Sequence, residues 1–196
     1  MKKNYLDCCI EKIKTDLPNI NIIYYRTIDS TQKKARELIE NNVANGTVII
    51  TDNQTKGIGT HGREWYTSNK DNVLMTLIHY PNCDINKLET ITTDIAKSIV
   101  DVIEAMYEIK LNIKKPNDII LNNKKIGGIL VETISYASTV KTLLIGIGLN
   151  VNQTKFTNEI AEIATSLKKE NNMEFQREEL ITNILKRIEK IMNKVY

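Results

Sequence analysis

The stretch Gln54-Thr55-Lys56-Gly57-Ile58-Gly59-Thr60-His61-Gly62-Arg63-Glu64-Trp65 constrains this chain more than any other. Glycines at 57, 59 and 62 let the backbone take positive φ and approach a ligand closely. Successive exposed N–H groups in such a loop suit a carboxylate or a phosphate. Lys56, His61 and Arg63 add positive or protonatable side chains, and Trp65 adds a flat face for stacking. The spacing also matches the dinucleotide fingerprint G-x-G-x-x-G. That fingerprint needs a strand before it, a helix opening inside it and an acid about 20 residues further on. A strand is expected over 47–52, but residues 63–69, Arg-Glu-Trp-Tyr-Thr-Ser-Asn, carry no helical apolar period and end in turn formers. The Rossmann reading fails on this context.

With 196 residues, 41% hydrophobic and 26% charged, the chain has the material for one globular domain with a sizeable core. No apolar run approaches the roughly 18–20 residues of a membrane span. The opening Met1-Lys2-Lys3-Asn4-Tyr5-Leu6-Asp7 lacks the apolar core of a secretory signal. A cytoplasmic protein with no membrane partner is the expectation. The net charge of +3 comes from scattered lysines rather than a basic stripe, which gives nucleic-acid binding no electrostatic support. Cys8, Cys9 and Cys83 are odd in number and lack zinc spacing; the adjacent pair reads as reduced and partly buried. His61 and His79 stand in no HxxxH or HExxH pattern, so no protein metal cage is expected.

Residues 21–26 are β-branched and aromatic and read as a strand. Asp29 with Gln32 three residues on has the form of a capping box opening a helix to about Ile39, and either Asp29 or Ser30 suits the cap. Strands follow over 47–52 and 72–79. Leu88, Ile91, Ile95, Ile99, Val102 and Met106 step by three and four, the mark of a long amphipathic helix. Strands are expected over 111–114, 118–121, 126–134 and 139–150, with Asn122-Asn123-Lys124 as a hairpin turn. A helix over 159–169 and an amphipathic helix over 178–196 complete the chain. Hairpin-linked strands among separated helices make this α+β, with a mixed, mostly antiparallel sheet packed against helices.

Four more segments place polar residues and tight turns where a core strand would not need them. They are Asp29-Ser30-Thr31-Gln32, Lys114-Lys115-Pro116-Asn117-Asp118-Ile119, Lys125-Ile126-Gly127-Gly128-Ile129-Leu130-Val131-Glu132 and Gly146-Ile147-Gly148-Leu149-Asn150. Glycine pairs within strands permit close ligand approach. Together with the glycine loop, and in this order, they resemble the catalytic domain of biotin protein ligases. That family shows a DST segment, a GRGRxGRxW loop, a KWPNDI turn, a KxxGILVE strand and a GxGxN strand.

The resemblance implies a two-step reaction: biotin and ATP give biotinyl-5′-AMP, and the biotinyl group then passes to a lysine of a biotin carboxyl carrier protein. Mg²⁺ would arrive with the ATP phosphates. It assigns Ser30, Thr31, Gln32, Gln54, Gly57, Ile58, Gly59 and Thr60 to the biotin site. Gly127 and Gly128 form its floor. Lys114 becomes the cation at biotin's carboxylate and the α-phosphate, with Arg63 as the other catalytic residue. Gly62, Arg63, Trp65, Asn117 and Asn150 fall on the nucleotide side, with Trp65 stacked on adenine. Three departures stand out. Ile58 and Thr60 replace loop arginines, and Lys115 replaces the tryptophan of KWPND. Thr60 is the serious one, because a lost charge-assisted contact predicts an adenylate held less tightly. One catalytic domain over 1–196 is expected, without the DNA-binding helix-turn-helix or the C-terminal β-barrel that some relatives carry. Relatives pair sheet edges, so a homodimer is the implied assembly. A binding module that has lost adenylation, or a ligase for another carboxylate such as lipoate, are the alternatives.

Overall fold

A computed structural model of the chain describes residues 6–67 and 70–194, with nothing described of the Cys8 side chain. The expectation for Cys8, the turn at Ser68 and Asn69, and the last two residues of the 178–196 helix lie outside it. In chain order the elements are α1 (Ile10–Asp16), β1 (Ile22–Tyr25), α2 (Thr31–Glu40), β2 (Val48–Thr51), β3 (Gly57–Ile58), β4 (Glu64–Trp65) and β5 (Val73–His79). Then come β6 (Cys83–Asp84), α3 (Ile91–Tyr107), β7 (Asn112–Lys114), β8 (Asp118–Leu121), β9 (Lys124–Tyr136), β10 (Thr139–Leu149), α4 (Leu167–Asn171) and α5 (Arg177–Met192).

Eight strands form one mixed sheet in the order β1-β2-β5-β10-β9-β8-β7, with β6 paired to β10. Among the strand pairs of the described residues, only β1–β2 is parallel. This is the expected α+β architecture. Strand side chains alternate between faces, and both faces are used. Val48 and Ile50 join the main core with α1, α3 and α5, whereas Ile49 points the other way and packs with Ala35 of α2, Ile78 and Leu144. β5, central in the sheet, is buried along its whole length.

Asn122 and Asn123 take φ of 49° and 64°, the left-handed pair that a two-residue hairpin turn between β8 and β9 requires. Two expectations are corrected. The helix expected over 159–169 is absent before Leu167, where the short α4 begins. Residues 158–163 are turns, and Lys125 donates its N–H to Ile163 O while Thr165 donates to Lys125 O, so the segment lies along β9 as a strap. The capping box is also absent: Ser30 is the N-cap of α2, its Oγ accepting from Lys33 N at 3.4 Å, and Gln32 turns inward instead of back. α1 is not among the expected elements; the turn at Leu6 that leads into it is pinned near the loop root by a buried cluster. Asp52, fully buried, pairs with Arg177 of α5 at 2.8 Å and accepts from Leu6 N and the Tyr24 hydroxyl. Burial and that carboxylate push the Tyr24 phenol well above its ordinary value. Asp52 O also accepts from Lys70 N, so both ends of the glycine loop start from this anchor.

Candidate active site

A trough lies on the α2 side of the sheet. Its floor is β9 and β10, one wall is the start of α2, and its roof is the glycine loop.

The polar end is built from α2. Thr31 donates its backbone N–H to Gln54 Oε1 at 2.7 Å, and its hydroxyl donates to the same atom at 3.1 Å. The Thr76 hydroxyl stands 2.9 Å from Thr31 Oγ1 and 3.1 Å from Gln32 Oε1. Gln32 is 2% exposed, and its Nε2 is buried with no partner, a donor waiting on the pocket wall. Below it, a Cβ on Gly146 would meet Gln32 Oε1 at 2.6 Å, so glycine is what lets the amide lie against the strand.

The middle of the trough is covered by Trp65. β3 and β4 form a small hairpin within the glycine loop, and a Cβ on Gly57 would meet Trp65 O at 2.5 Å. Of the three loop glycines, only Gly62 takes positive φ (70°); His61 shares that region at 58°. The indole lies on the sheet itself: a Cβ at Gly148 would sit 2.6 Å from Trp65 Cε2, and one at Gly128 3.3 Å from Cζ3. Trp65 Nε1 is buried without a partner.

The charged end is Lys125. Its Nζ pairs with Asp118 Oδ1 at 2.6 Å and stands 5.4 Å from the centre of the Trp65 ring. Strict alternation would put Lys125 on the face of Gly127, toward the core. A β-bulge prevents this. Gly127 pairs with Ile119 but Lys125 with Ile120, leaving Ile126 as the extra residue, and Lys125 Cε then comes 3.3 Å from a Cβ position on Gly128. Bulges re-aim side chains in this way next to functional sites.

The expected site residues are therefore only partly brought together. Ser30, Thr31, Gln32, Gln54, Ile58, Gly59, Thr60, Trp65, Asn117 and Gly128 line the trough. Gly127 does not belong to the floor: its Cβ position faces Leu149 and Ile119 in the core, as the two-residue period of a strand dictates. Lys114 is exposed on β7, one strand out and opposite Asp118, and does not line the trough. Gly57 supports the hairpin from behind. Gly62 and Arg63 are exposed, and Arg63 folds back so that Nε donates to Thr60 O and Nη2 to Thr60 Oγ1, both at 3.3 Å. Asn150 lies behind the lysine end, donating Nδ2 to Thr165 O at 3.1 Å while its Oδ1 is buried without a partner. Lys125, Asp118, Gly146 and Gly148 lie in the segments singled out above without an assigned role, and Thr76 lies outside them. Thr76 carried no readable signal.

Among the described residues no cluster of His, Cys, Asp and Glu is placed to hold a metal, and no helix is long and apolar enough to cross a membrane. Comparison with known proteins agrees with this geometry. The chain is 39% identical over 180 residues to the bifunctional ligase/repressor BirA of Bacillus spizizenii and 38% identical to that of Bacillus subtilis, covering 91% of this chain and 55% of each relative. It thus spans about half the length of these curated relatives. The fold superposes on the biotin protein ligase of Aquifex aeolicus in complex with biotin and ATP with a TM-score of 0.76 and 32% identity, covering 89% of this chain and 71% of that one. Residues 24–150, which hold the whole trough, match the biotin/lipoate A/B protein ligase family, and the chain belongs to that family.

Proposed function

We propose that this chain is the catalytic domain of a biotin protein ligase, taking biotin and Mg-ATP to biotinyl-5′-AMP and pyrophosphate and then biotinylating a lysine of a carrier protein. The observation that carries the reading is the polarity of the trough. An orphaned buried amide donor stands at one end, a lysine ammonium at the other, and a glycine floor capped by a tryptophan lies between. A ureido ring offers a carbonyl to Gln32 Nε2 and N–H groups to the hydroxyl and amide oxygens of the Thr31–Gln54 cluster. The apolar bicycle and chain of biotin would run over Gly146 and along the indole, which itself rests on Gly128 and Gly148, and the carboxylate would end at Lys125.

In the first step a carboxylate oxygen attacks the α-phosphorus, the bond to the bridging oxygen of pyrophosphate breaks, and the acyl phosphate forms. Two anions must meet, so a fixed cation between them is the main requirement. Lys125 rather than Lys114 fills that role in this proposal, exchanging its Asp118 partner for the incoming anions. Asn150 Oδ1 suits the exocyclic amine of adenine, with Asn117 at the lysine end and Gly62, Arg63 and Trp65 on the loop closing over the nucleotide. In the second step an unprotonated lysine amine of the carrier attacks the acyl carbon, AMP leaves and the amine sheds its proton. Resemblance to proteins named ligase/repressor raises a DNA-binding role, but no basic stripe in this chain supports it. The edge of β9 beyond Gly128, to which β8 does not extend, supports pairing with a second copy; sedimentation of the purified chain tests that.

The test is incubation with Mg-ATP, with and without biotin, and mass spectrometric detection of biotinyl-5′-AMP. A biotin-dependent adenylate is the expected result. Adenylate formed only with lipoate would move the proposal to a lipoate ligase. Biotin binding without any adenylate would make the chain a binding module.

A further inference from the structure

The furrow between α2 and β9 continues past the trough. On α2, Gln32 and Arg36 lie one turn apart on the same side. On β9, Leu130, Glu132 and Ile134 follow Gly128 on one face, opposite Gly146, Leu144 and Thr142 of β10 in register. The trough ends at Gln32, Leu130 and Gly146. Beyond it opens a second, more open groove lined by Ile39, Val43, Tyr80, Ile134 and Thr142. Between the two stands a fork: Arg36 Nε donates to Glu132 Oε2 at 3.0 Å, and Nη2 donates to Oε1. Two parallel bonds fix orientation as well as distance.

The fork sits where the sheet is least braced. β8 pairs with β9 only as far as Gly128, and the Asn117–Ile129 exchange adds one residue. Past that point, among the described residues, the outer edge of β9 has no strand partner. The apolar underside of α2 rests on Ile49, Ile78 and Leu144, in β2, β5 and β10. Arg36–Glu132 ties the helix across to β9.

We propose that Arg36 and Glu132 are positioning residues for the acid substrate. The fork fixes the gap between the first turn of α2, which carries Thr31 and Gln32, and the Leu130 pleat of β9. It thereby sets how tightly the head of the substrate is gripped. The inference rests on the biotin reading above. It assigns the pair to binding alone, because Lys125 and Asp118 lie at the other end of the trough. With side chains 45% and 30% exposed, the pair is screened by solvent and adds little to global stability. A binding effect is therefore separable from an unfolding effect.

The experiment is calorimetric titration with biotin and steady-state adenylation for the native chain, Arg36→Met, Glu132→Gln, the double variant and the exchanged pair Arg36→Glu/Glu132→Arg. Each single change is expected to raise the biotin Kd and KM roughly fivefold, the effect of losing such a pair, with kcat unchanged. The double variant should be no worse than either single one, and the exchanged pair should recover most of the loss. Arg36→Lys keeps the charge without the fork and should fall between, which serves if a neutral variant misfolds. An unchanged Kd in variants that melt like the native chain overturns the inference, and so does a fall in kcat. If the native chain itself fails to bind biotin, the functional reading falls first. If it binds and the variants bind equally well, only this inference falls.

Discussion

Gly148→Ala separates the roof of the trough from its floor. The added Cβ would lie 2.6, 2.7 and 2.9 Å from Trp65 Cε2, Cζ2 and Nε1. Carbon atoms pack at roughly 3.5–4.0 Å, so the indole must lift by about 1 Å. β10 is held by β5 and β9 on either side, whereas Trp65 ends a two-residue strand in an exposed loop, so the loop is what yields. Trp65 is mostly buried; a tryptophan covers roughly 150–250 Å², and if about half of that lies on the sheet, ~25 cal/mol per Å² gives a contact of about 2 kcal/mol. Loss of that contact shifts the closed loop toward open forms by a factor of up to about 30. Trp65 is the only tryptophan in the chain, so its fluorescence reports on this contact without labelling. The variant should show red-shifted emission, readier quenching by iodide and weakened biotin binding, while its far-ultraviolet circular dichroism stays native. Native-like emission with native biotin affinity would refute the reasoning, because the indole could not then be resting on Gly148.

Three further expectations are open to direct measurement. Lys125→Ala should abolish biotin-dependent adenylate formation, whereas Lys114→Ala should leave most of it; equal losses in a mass-spectrometric assay would remove the distinction drawn between the two lysines. Thr60→Arg supplies a charge-assisted contact of ~1.5–3 kcal/mol at the trough wall and should slow escape of biotinyl-5′-AMP roughly ten- to hundredfold; an unchanged off-rate in rapid filtration would show that position 60 does not grip the adenylate. Glu170 accepts from Thr165 and Asn122, and these hydrogen bonds hold its carboxyl below its ordinary value of 4.5. A depressed carboxyl pKa stabilises above the unfolded value and is lost as pH falls through the folded one. Hydrogen exchange in residues 160–171 should therefore rise as pH drops below about 4.5, after correction for intrinsic rates, and Glu170→Gln should flatten that dependence.

What the sequence made legible follows from which forces act locally. The long helix of α3, the hairpin at Asn122-Asn123 and the strands on either side of it depend on period and turn chemistry, and they appear where those signals point. α1 carried the same kind of signal, since Ile10, Ile13 and Leu17 are all buried at helical spacing, and attention to it would have found the helix. Residues 159–169 mislead because Ile160 and Ile163 mimic a helical repeat. Ile163 is in fact 64% exposed, and its carbonyl is taken by Lys125 of a strand distant in sequence. Tertiary pairing overrode local propensity there. In the site, the Asp29–Gln32 segment and the glycine loop announced themselves by residue type. Thr76 did not, being one polar residue inside an apolar strand whose meaning depends on what crosses above it.

The two lysines show why residue type and motif are not enough to assign a chemical role. Lys114 and Lys125 carry the same charge, and each opens a segment shared with the family. Their difference is positional. Lys114 projects from a short strand at the sheet's edge into solvent, where an ammonium is strongly hydrated and a bound anion gains little. Lys125 is held by its own backbone at both N and O through the 163–165 strap, turned to the trough face by the bulge at Ile126, and kept in line by Asp118. Its stem lies against Gly128 and its ammonium near Trp65. Each constraint removes freedom that a catalytic cation would otherwise lose on binding, so the strap and bulge prepay an entropy cost. Asp118 has a further consequence. It holds the ammonium in place in the free protein, yet it is a single carboxylate. A carboxylate and a polyphosphate arriving together present more negative charge to the same donor. The lysine then exchanges partners with little movement, and the partly exposed Asp118 is left to solvent. An Asp118→Asn chain should for that reason bind the acid with its lysine less well placed, losing rate more than affinity.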